Sequence, residues 1–178
     1  MPTHEQGRAQ RVSSVLASYG RYHRDPRNRL THYFGVPAII YAVLIPAALY
    51  SVPIDGASLG LDRIIVIVAV VGYLIADVRL GLALAVVLGA LAAAAEATTT
   101  LGSAAALSVA AATFVLGWAL QLLGHHLEGN RPAFLTNLAQ LVIAPLYLCA
   151  ELAFALGLRS RLRAHVEQQL GAAPSVHH

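Results

Sequence analysis

Between residues 34 and 158 the sequence is almost continuous hydrocarbon, broken only by short polar islands. That pattern leaves few folds open. A stretch of about 20 apolar residues is long enough to cross the hydrocarbon of a bilayer as a helix, and in lipid the backbone must satisfy its own N–H and C=O groups. Hydrophobic residues make up 57% of the chain and charged residues 12%, about half the charged share of an ordinary soluble domain. A water-soluble globule is excluded. The expected fold class is all-α, a polytopic membrane helix bundle of about five apolar segments preceded by a short amphipathic N-terminal helix.

Taken in order, residues 8–22 place Val12, Val15, Leu16 and Tyr19 at helical spacing with arginines between them. Such a helix either lies at the membrane surface or packs on the rest of the protein. No apolar stretch with a small-residue cleavage site occurs in the first thirty residues, so insertion is expected to be directed by the first span. The first apolar run, 34–52, is punctuated by Pro37, Pro46 and Pro53, and a kink is expected near Pro46. A loop at Asp55-Gly56 precedes a second run, 64–76, and only Asp77 and Arg79 separate it from a third, 80–97. A turn at residues 98–103 leads into an Ala- and Gly-rich fourth run, 104–123, whose small residues permit close helix approach. The fifth run, 138–158, contains Pro145 and Glu151, and a soluble helical tail is expected from Arg159. The whole forms one integral membrane domain, 1–178, with an interfacial segment at 1–33 and a tail at 159–178.

Two islands carry chemistry. The first, residues 22–32, holds His23 and His32 nine residues apart. A helix starting near Pro26 sets Asn28 and His32 one turn apart on one face. In the second island Gln121, His125 and Glu128 follow one helical stripe with Trp118. Four crossings separate the islands, so both emerge on one side of the membrane. Neutral imidazoles are ligands for iron and zinc, and a nearby carboxylate either ligates or orients a histidine. Each residue also has a plainer reading: Asp25 and Asn28 as a helix cap and a turn residue, Gln121 and Glu151 as interhelical hydrogen-bonding groups. His177 and His178 are set aside as tag-like, and the lone Cys149 offers no disulfide.

The arginines at 8, 11, 21, 24, 27 and 29 argue that the island side is cytoplasmic. Arg159, Arg161 and Arg163 argue the same for the tail, which five full crossings would place opposite. Either the fifth run does not cross fully and folds back at Pro145, the favoured reading, or the tail's charges are outvoted. The formal charge of +3 gives no sign of a nucleic-acid partner, and the composition points to a bacterial inner membrane.

At these residues the chain resembles the Mpo1-like family of 2-hydroxy fatty acid dioxygenases. The resemblance is carried by Tyr22-His23, Pro26, Asn28, His32 and Pro37, then Gly117-Trp118, Gln121, Gly124-His125, Glu128, Arg131-Pro132-Ala133, Asn137, Ala144-Pro145 and Glu151. It implies an Fe(II)-dependent enzyme that uses O2 to shorten 2-hydroxy fatty acids by one carbon at the membrane. It further implies His23, His32 and His125 as iron ligands, with His126 competing with or joining its neighbour, and Asn28 and Glu128 as ligand-orienting or substrate-positioning groups. Arg24, Arg27, Arg29 and Arg131 are candidates to hold the acid headgroup. Two other readings remain: a zinc-dependent membrane lipid amidohydrolase, and a small transporter or scaffold in which the islands are structural.

Overall fold

The computed structural model describes residues 4–129 and 139–171, with side chains from residue 7. Arg131, Pro132, Ala133 and Asn137 lie outside the described residues. The described chain forms α1 (His4–Gly20), α2 (Pro26–Ala48), a hairpin of β1 (Ser51–Ile54) and β2 (Ala57–Gly60), then α3 (Leu61–Ala76), α4 (Val78–Thr99), α5 (Ser103–Glu128), α6 (Ala139–Ala155) and α7 (Ser160–Gly171). It is a polytopic helix bundle, and α2, α4 and α5 are each long and apolar enough to span a membrane.

The first span begins well before the apolar run does. Asp25 caps α2 by accepting from the Arg27 N–H at 2.8 Å, and Pro26 occupies the first turn, where its missing N–H is not needed. The basic island is thus the opening of a span. Pro46 falls in the last turn, so the expected kink there is instead the approach to the helix end at Ala48. The loop expected at Asp55-Gly56 is the tip of an antiparallel hairpin pairing Ser51 with Gly60 and Ile54 with Ala57. Both tip residues have positive φ, 41° and 86°, the requirement of a two-residue turn that matches strand twist.

The second apolar run, α3, has 16 residues and so extends about 24 Å, short of the usual ~30 Å of hydrocarbon. It turns into α4 through Asp77 alone, which caps α4 by accepting from the Arg79 and Leu80 N–H groups, both at 3.0 Å. Gly81 lets the two helices close up: a Cβ there would lie 2.7 Å from the Leu74 backbone nitrogen.

The fifth run does not fold back at Pro145, which sits inside α6; the chain changes direction only at the end of the run. α6 ends at Gly157, with φ of 73°, where the Leu158 N–H reaches the Ala153 carbonyl at 2.8 Å and the Gly157 N–H the Phe154 carbonyl at 3.1 Å. That double closure is the left-handed glycine stop, and α7 leaves at 115° to α6. Arg159 beyond the bend pairs with Asp77, so the tail lies at the same end of the bundle as the α3–α4 turn. The tail packs on α1: Val12, Leu16 and Tyr19 are buried with Leu162 and Val166 in one cluster, and Gln169 donates to Ser13 at 2.9 Å. Of the two readings of α1, packing on the protein is the observed one.

Burial raises the affinity of Asp77 for its proton, but the Arg159 guanidinium and the α4 N–H groups outweigh it and hold this carboxyl below its ordinary range. A lowered folded pKa means stabilisation that is present above the unfolded pKa and lost as pH falls through the folded one. Asp77→Asn is expected to lower the melting temperature of the detergent-solubilised protein at neutral pH. The gap from wild type should close as the pH is taken down through the carboxylate range; a gap independent of pH would contradict the ion-pair account.

Candidate metal centre

The two islands meet where α2 and α5 run antiparallel. Glycines set their separation: a Cβ at Gly117 would lie 2.7 Å from Ile39 Cγ1, and one at Gly35 would lie 3.0 Å from the Gly117 carbonyl. A Cβ at Gly124 would run into Thr31 Oγ1 and Asn28 Oδ1. The backbones touch along this seam, as small residues allow in membrane helices. Gly129, with φ of 75°, stops α5 directly after Glu128.

Three buried histidines converge at the top of the seam. His23 follows α1, His32 lies in the second turn of α2 and His125 in the last turn of α5; they are 2%, 2% and 4% exposed. One ligand atom from each lies within 4.8 Å of the others. The ring centroids are 4.5 Å apart for His23 and His32 and 5.0 Å from each of these to His125.

Hydrogen bonds assign the proton in two of the rings. His23 Nδ1 is 2.9 Å from the Tyr19 carbonyl and His32 Nδ1 is 2.9 Å from the Asn28 carbonyl, so both Nδ1 atoms carry the hydrogen. In the neutral rings neither Nε2 then has a proton, yet the two lie 3.1 Å apart. Lone pair faces lone pair. Two imidazoles on one ion, with bonds near 2.1 Å and tetrahedral to octahedral angles, hold their nitrogens roughly 3.0–3.4 Å apart. Burial first, then the neighbouring His32, pushes His23 down to about 3, so it is neutral at physiological pH, the form that ligates. His125 Nδ1 is buried with no hydrogen-bond partner among the described residues. The donor set, its charge state and its orphaned nitrogens fit a divalent transition metal.

Glu128 and Asn28 sit beside the cluster. Glu128 Oε1 accepts from the N–H groups of Arg24 and Asp25, the latter at 3.2 Å, and its other oxygen accepts from Asn28 Nδ2. Both carboxylate oxygens are therefore occupied at the start of α2, and Glu128 is not in the group of three. His126 is exposed and also outside it. Among the candidate arginines, Arg27 pairs with Asp25 at 2.8 Å and Arg29 with Glu151 at 2.6 Å.

Sequence reasoning missed Tyr19, whose ring stacks on His23 at 4.0 Å and 3° and contacts Tyr147 at 4.8 Å. The one signal was its place four residues before His23, where a carbonyl can reach the imidazole. It also missed the cavity. A space of about 430 Å³ opens from the three histidines into the bundle, lined by apolar side chains such as Val36, Ile40, Val66, Leu88 and Phe114. A second, more polar space on the other side of His23 reaches Arg29, Tyr33, Tyr147 and Glu151.

Fold and site together define a polytopic membrane protein with a buried three-histidine centre at the head of an apolar cavity. The chain belongs to the Mpo1-like family, described as 2-hydroxy-palmitic acid dioxygenase Mpo1-like, whose model it matches over residues 9–156. It is 32% identical over 165 residues, 89% of each chain, to the 2-hydroxy-palmitic acid dioxygenase MPO1 of Saccharomyces cerevisiae. No solved structure matches it.

If the seam positions the histidines, adding one methyl group to it should disturb them. Gly124→Ala is expected to cost about 1–3 kcal/mol, as overpacked interiors do, and to lower the melting temperature accordingly. Gly89→Ala, on α4 with open space where its Cβ would go, should not lower it. Helix propensity alone would favour alanine at both positions, so a Gly124→Ala variant as stable as Gly89→Ala would contradict the account of the seam.

Proposed function

We propose that this protein is an Fe(II)-dependent dioxygenase that shortens 2-hydroxy fatty acids by one carbon, with O2 as co-substrate. The observation that carries the reading is the placement of three buried imidazoles together at the wall of an apolar cavity, in a chain of this family. Zinc with a hydrolytic water would use a similar donor set, but the comparisons favour the oxidative chemistry. His23, His32 and His125 hold the iron, and bound iron supplies redox chemistry toward O2 and the hydroxy acid.

The chain's own residues do the rest. The apolar walls take the acyl chain and exclude water, and a cavity of this size lies within the usual range for small-molecule sites. The Tyr19 and Asn28 carbonyls hold His23 and His32 with Nε2 free. Asn28 is itself held by Glu128, so Glu128 acts as a positioning residue for His32 through Asn28, not as a ligand. Second-layer hydrogen bonds of this kind fix ring orientation and ligand basicity. His126 is assigned no part in the metal shell.

The same reading extends to the membrane. Arg24, Arg27, Arg29 and, beyond the α6 bend, Arg159, Arg161 and Arg163 belong to segments at the site end of the bundle, which supports a cytoplasmic site by the positive-inside tendency. A bacterial inner membrane is the setting that composition favours.

Metal analysis of anaerobically purified protein, paired with turnover of 2-hydroxypalmitate, tests the proposal. Iron near one per chain and an O2-dependent acid one carbon shorter are expected. His32→Ala and His125→Ala should lose both, while His126→Ala keeps both. Zinc in place of iron, with activity under nitrogen, would sink the reading.

A further inference from the structure

We propose that Gln121 is a specificity-determining residue, its side-chain amide donating a hydrogen bond to the 2-hydroxyl oxygen of the bound acid. The inference rests on the reading of the site as one that takes 2-hydroxy fatty acids. Gln121 is 6% exposed, its side chain lines the apolar cavity, and its buried Nε2 has no hydrogen-bond partner among the described residues. An unpaired amide among hydrocarbon walls is unfavourable, and a buried group in that state calls for a reason.

The surroundings are built for it. Gln121 lies one turn before His125 on α5, and Gly35 lies one turn after His32 on α2, so both positions sit one turn further into the bundle than the histidines. A Cβ at position 35 would fall 2.5 Å from Gln121 Nε2. The amide fills the space that a glycine leaves, and any other residue there would displace it. Interhelical hydrogen bonding, the plainer reading of this glutamine, would need a partner that Nε2 does not have among the described residues.

Depth then selects the ligand atom. With the acyl chain in the cavity and the carboxylate at the histidines, the first oxygen met on leaving the hydrocarbon is the one on C2. An amide placed one turn to the hydrocarbon side of the histidines meets that oxygen before it meets the carboxylate. An unsubstituted fatty acid leaves the amide unpaired, and a site built to pair with a hydroxyl discriminates against the analogue that lacks one.

Trp118 is the single tryptophan of the chain and lines the same cavity, so its fluorescence reports binding without turnover. The full chain in detergent, under nitrogen, is titrated with 2-hydroxypalmitate, 2-fluoropalmitate and palmitate, both as purified and after treatment with a chelator. Wild type should bind the hydroxy acid roughly tenfold more tightly than palmitate in both forms, the size expected of one hydrogen bond to a buried group. The fluoro acid, similar in shape but a poor acceptor, should bind like palmitate. Gln121→Met should bring the ratio of hydroxy acid to palmitate to within about twofold of unity.

A preference that survives Gln121→Met, that vanishes when metal is removed, or that extends to the fluoro acid overturns the proposal. The fluoro-acid arm uses wild type alone and stands even if the variant does not fold. Turnover of 2-hydroxypalmitate with an unchanged ratio in the variant defeats this inference and leaves the enzymatic reading intact. The expected ratios without O2-dependent shortening defeat the enzymatic reading and leave the hydroxyl recognition standing.

Discussion

The structure depends on how closely α2 and α5 approach. In a bilayer, apolar faces gain nothing by leaving lipid for one another, so association rests on packing and hydrogen bonds. Gly35, Gly117 and Gly124 remove the side chains that would hold the helices apart, and below them Leu44 and Ile45 of α2 pack with Ala106 and Ala110 of α5. Because the helices are antiparallel, the start of α2 meets the end of α5. That single geometric fact brings His32 to His125, Asn28 to Glu128 and Gly35 to Gln121.

The third histidine arrives by a different route. His23 lies in the short connection between α1 and α2, where the chain would be free to wander without anchors. Three hold it. The Arg24 and Asp25 N–H groups donate to Glu128, the imidazole donates to Tyr19, and the Tyr19 ring lies flat against it. Tyr19 is fixed in turn by Tyr147 of α6 and by the packing of α1 on α7. The soluble-looking ends of the chain are thus part of the support for the centre.

Much of this was legible in the sequence, and for identifiable reasons. Helix-length apolar runs announce a bundle, and the parity of four runs between His32 and His125 predicts that they share an end of it. Asp25-Pro26 marks a helix start that hydropathy alone would place near Phe34. What sequence could not decide depended on rotation and on distant contacts. His125 and His126 are adjacent, and only the seam at Gly124 determines which faces α2. Pro145 looked like the fold-back point because proline breaks helices, but the stop is made by Gly157 in a left-handed conformation. The Asp55-Gly56 pair is a hairpin signal that the surrounding apolar pattern obscured. Tyr19 acts partly through its backbone carbonyl, and carbonyls leave no trace in residue type.

The same geometry has an energetic consequence. Two Nε2 lone pairs 3.1 Å apart and a buried Nδ1 without a partner among the described residues are unfavourable in the protein alone, each unsatisfied buried group weighing about 1–3 kcal/mol against it. Protonation would relieve the opposition of the lone pairs, but burial holds His23 down to about 3, so that route is closed at physiological pH. A divalent cation held by the three histidines would relieve that opposition, and an ion that binds the folded form and not the unfolded one adds to stability by mass action. On the proposed reading, the packing that forces the histidines together without a proton between them would couple the fold to the ion: the seam supplies the unfavourable contact, and a bound ion would remove it.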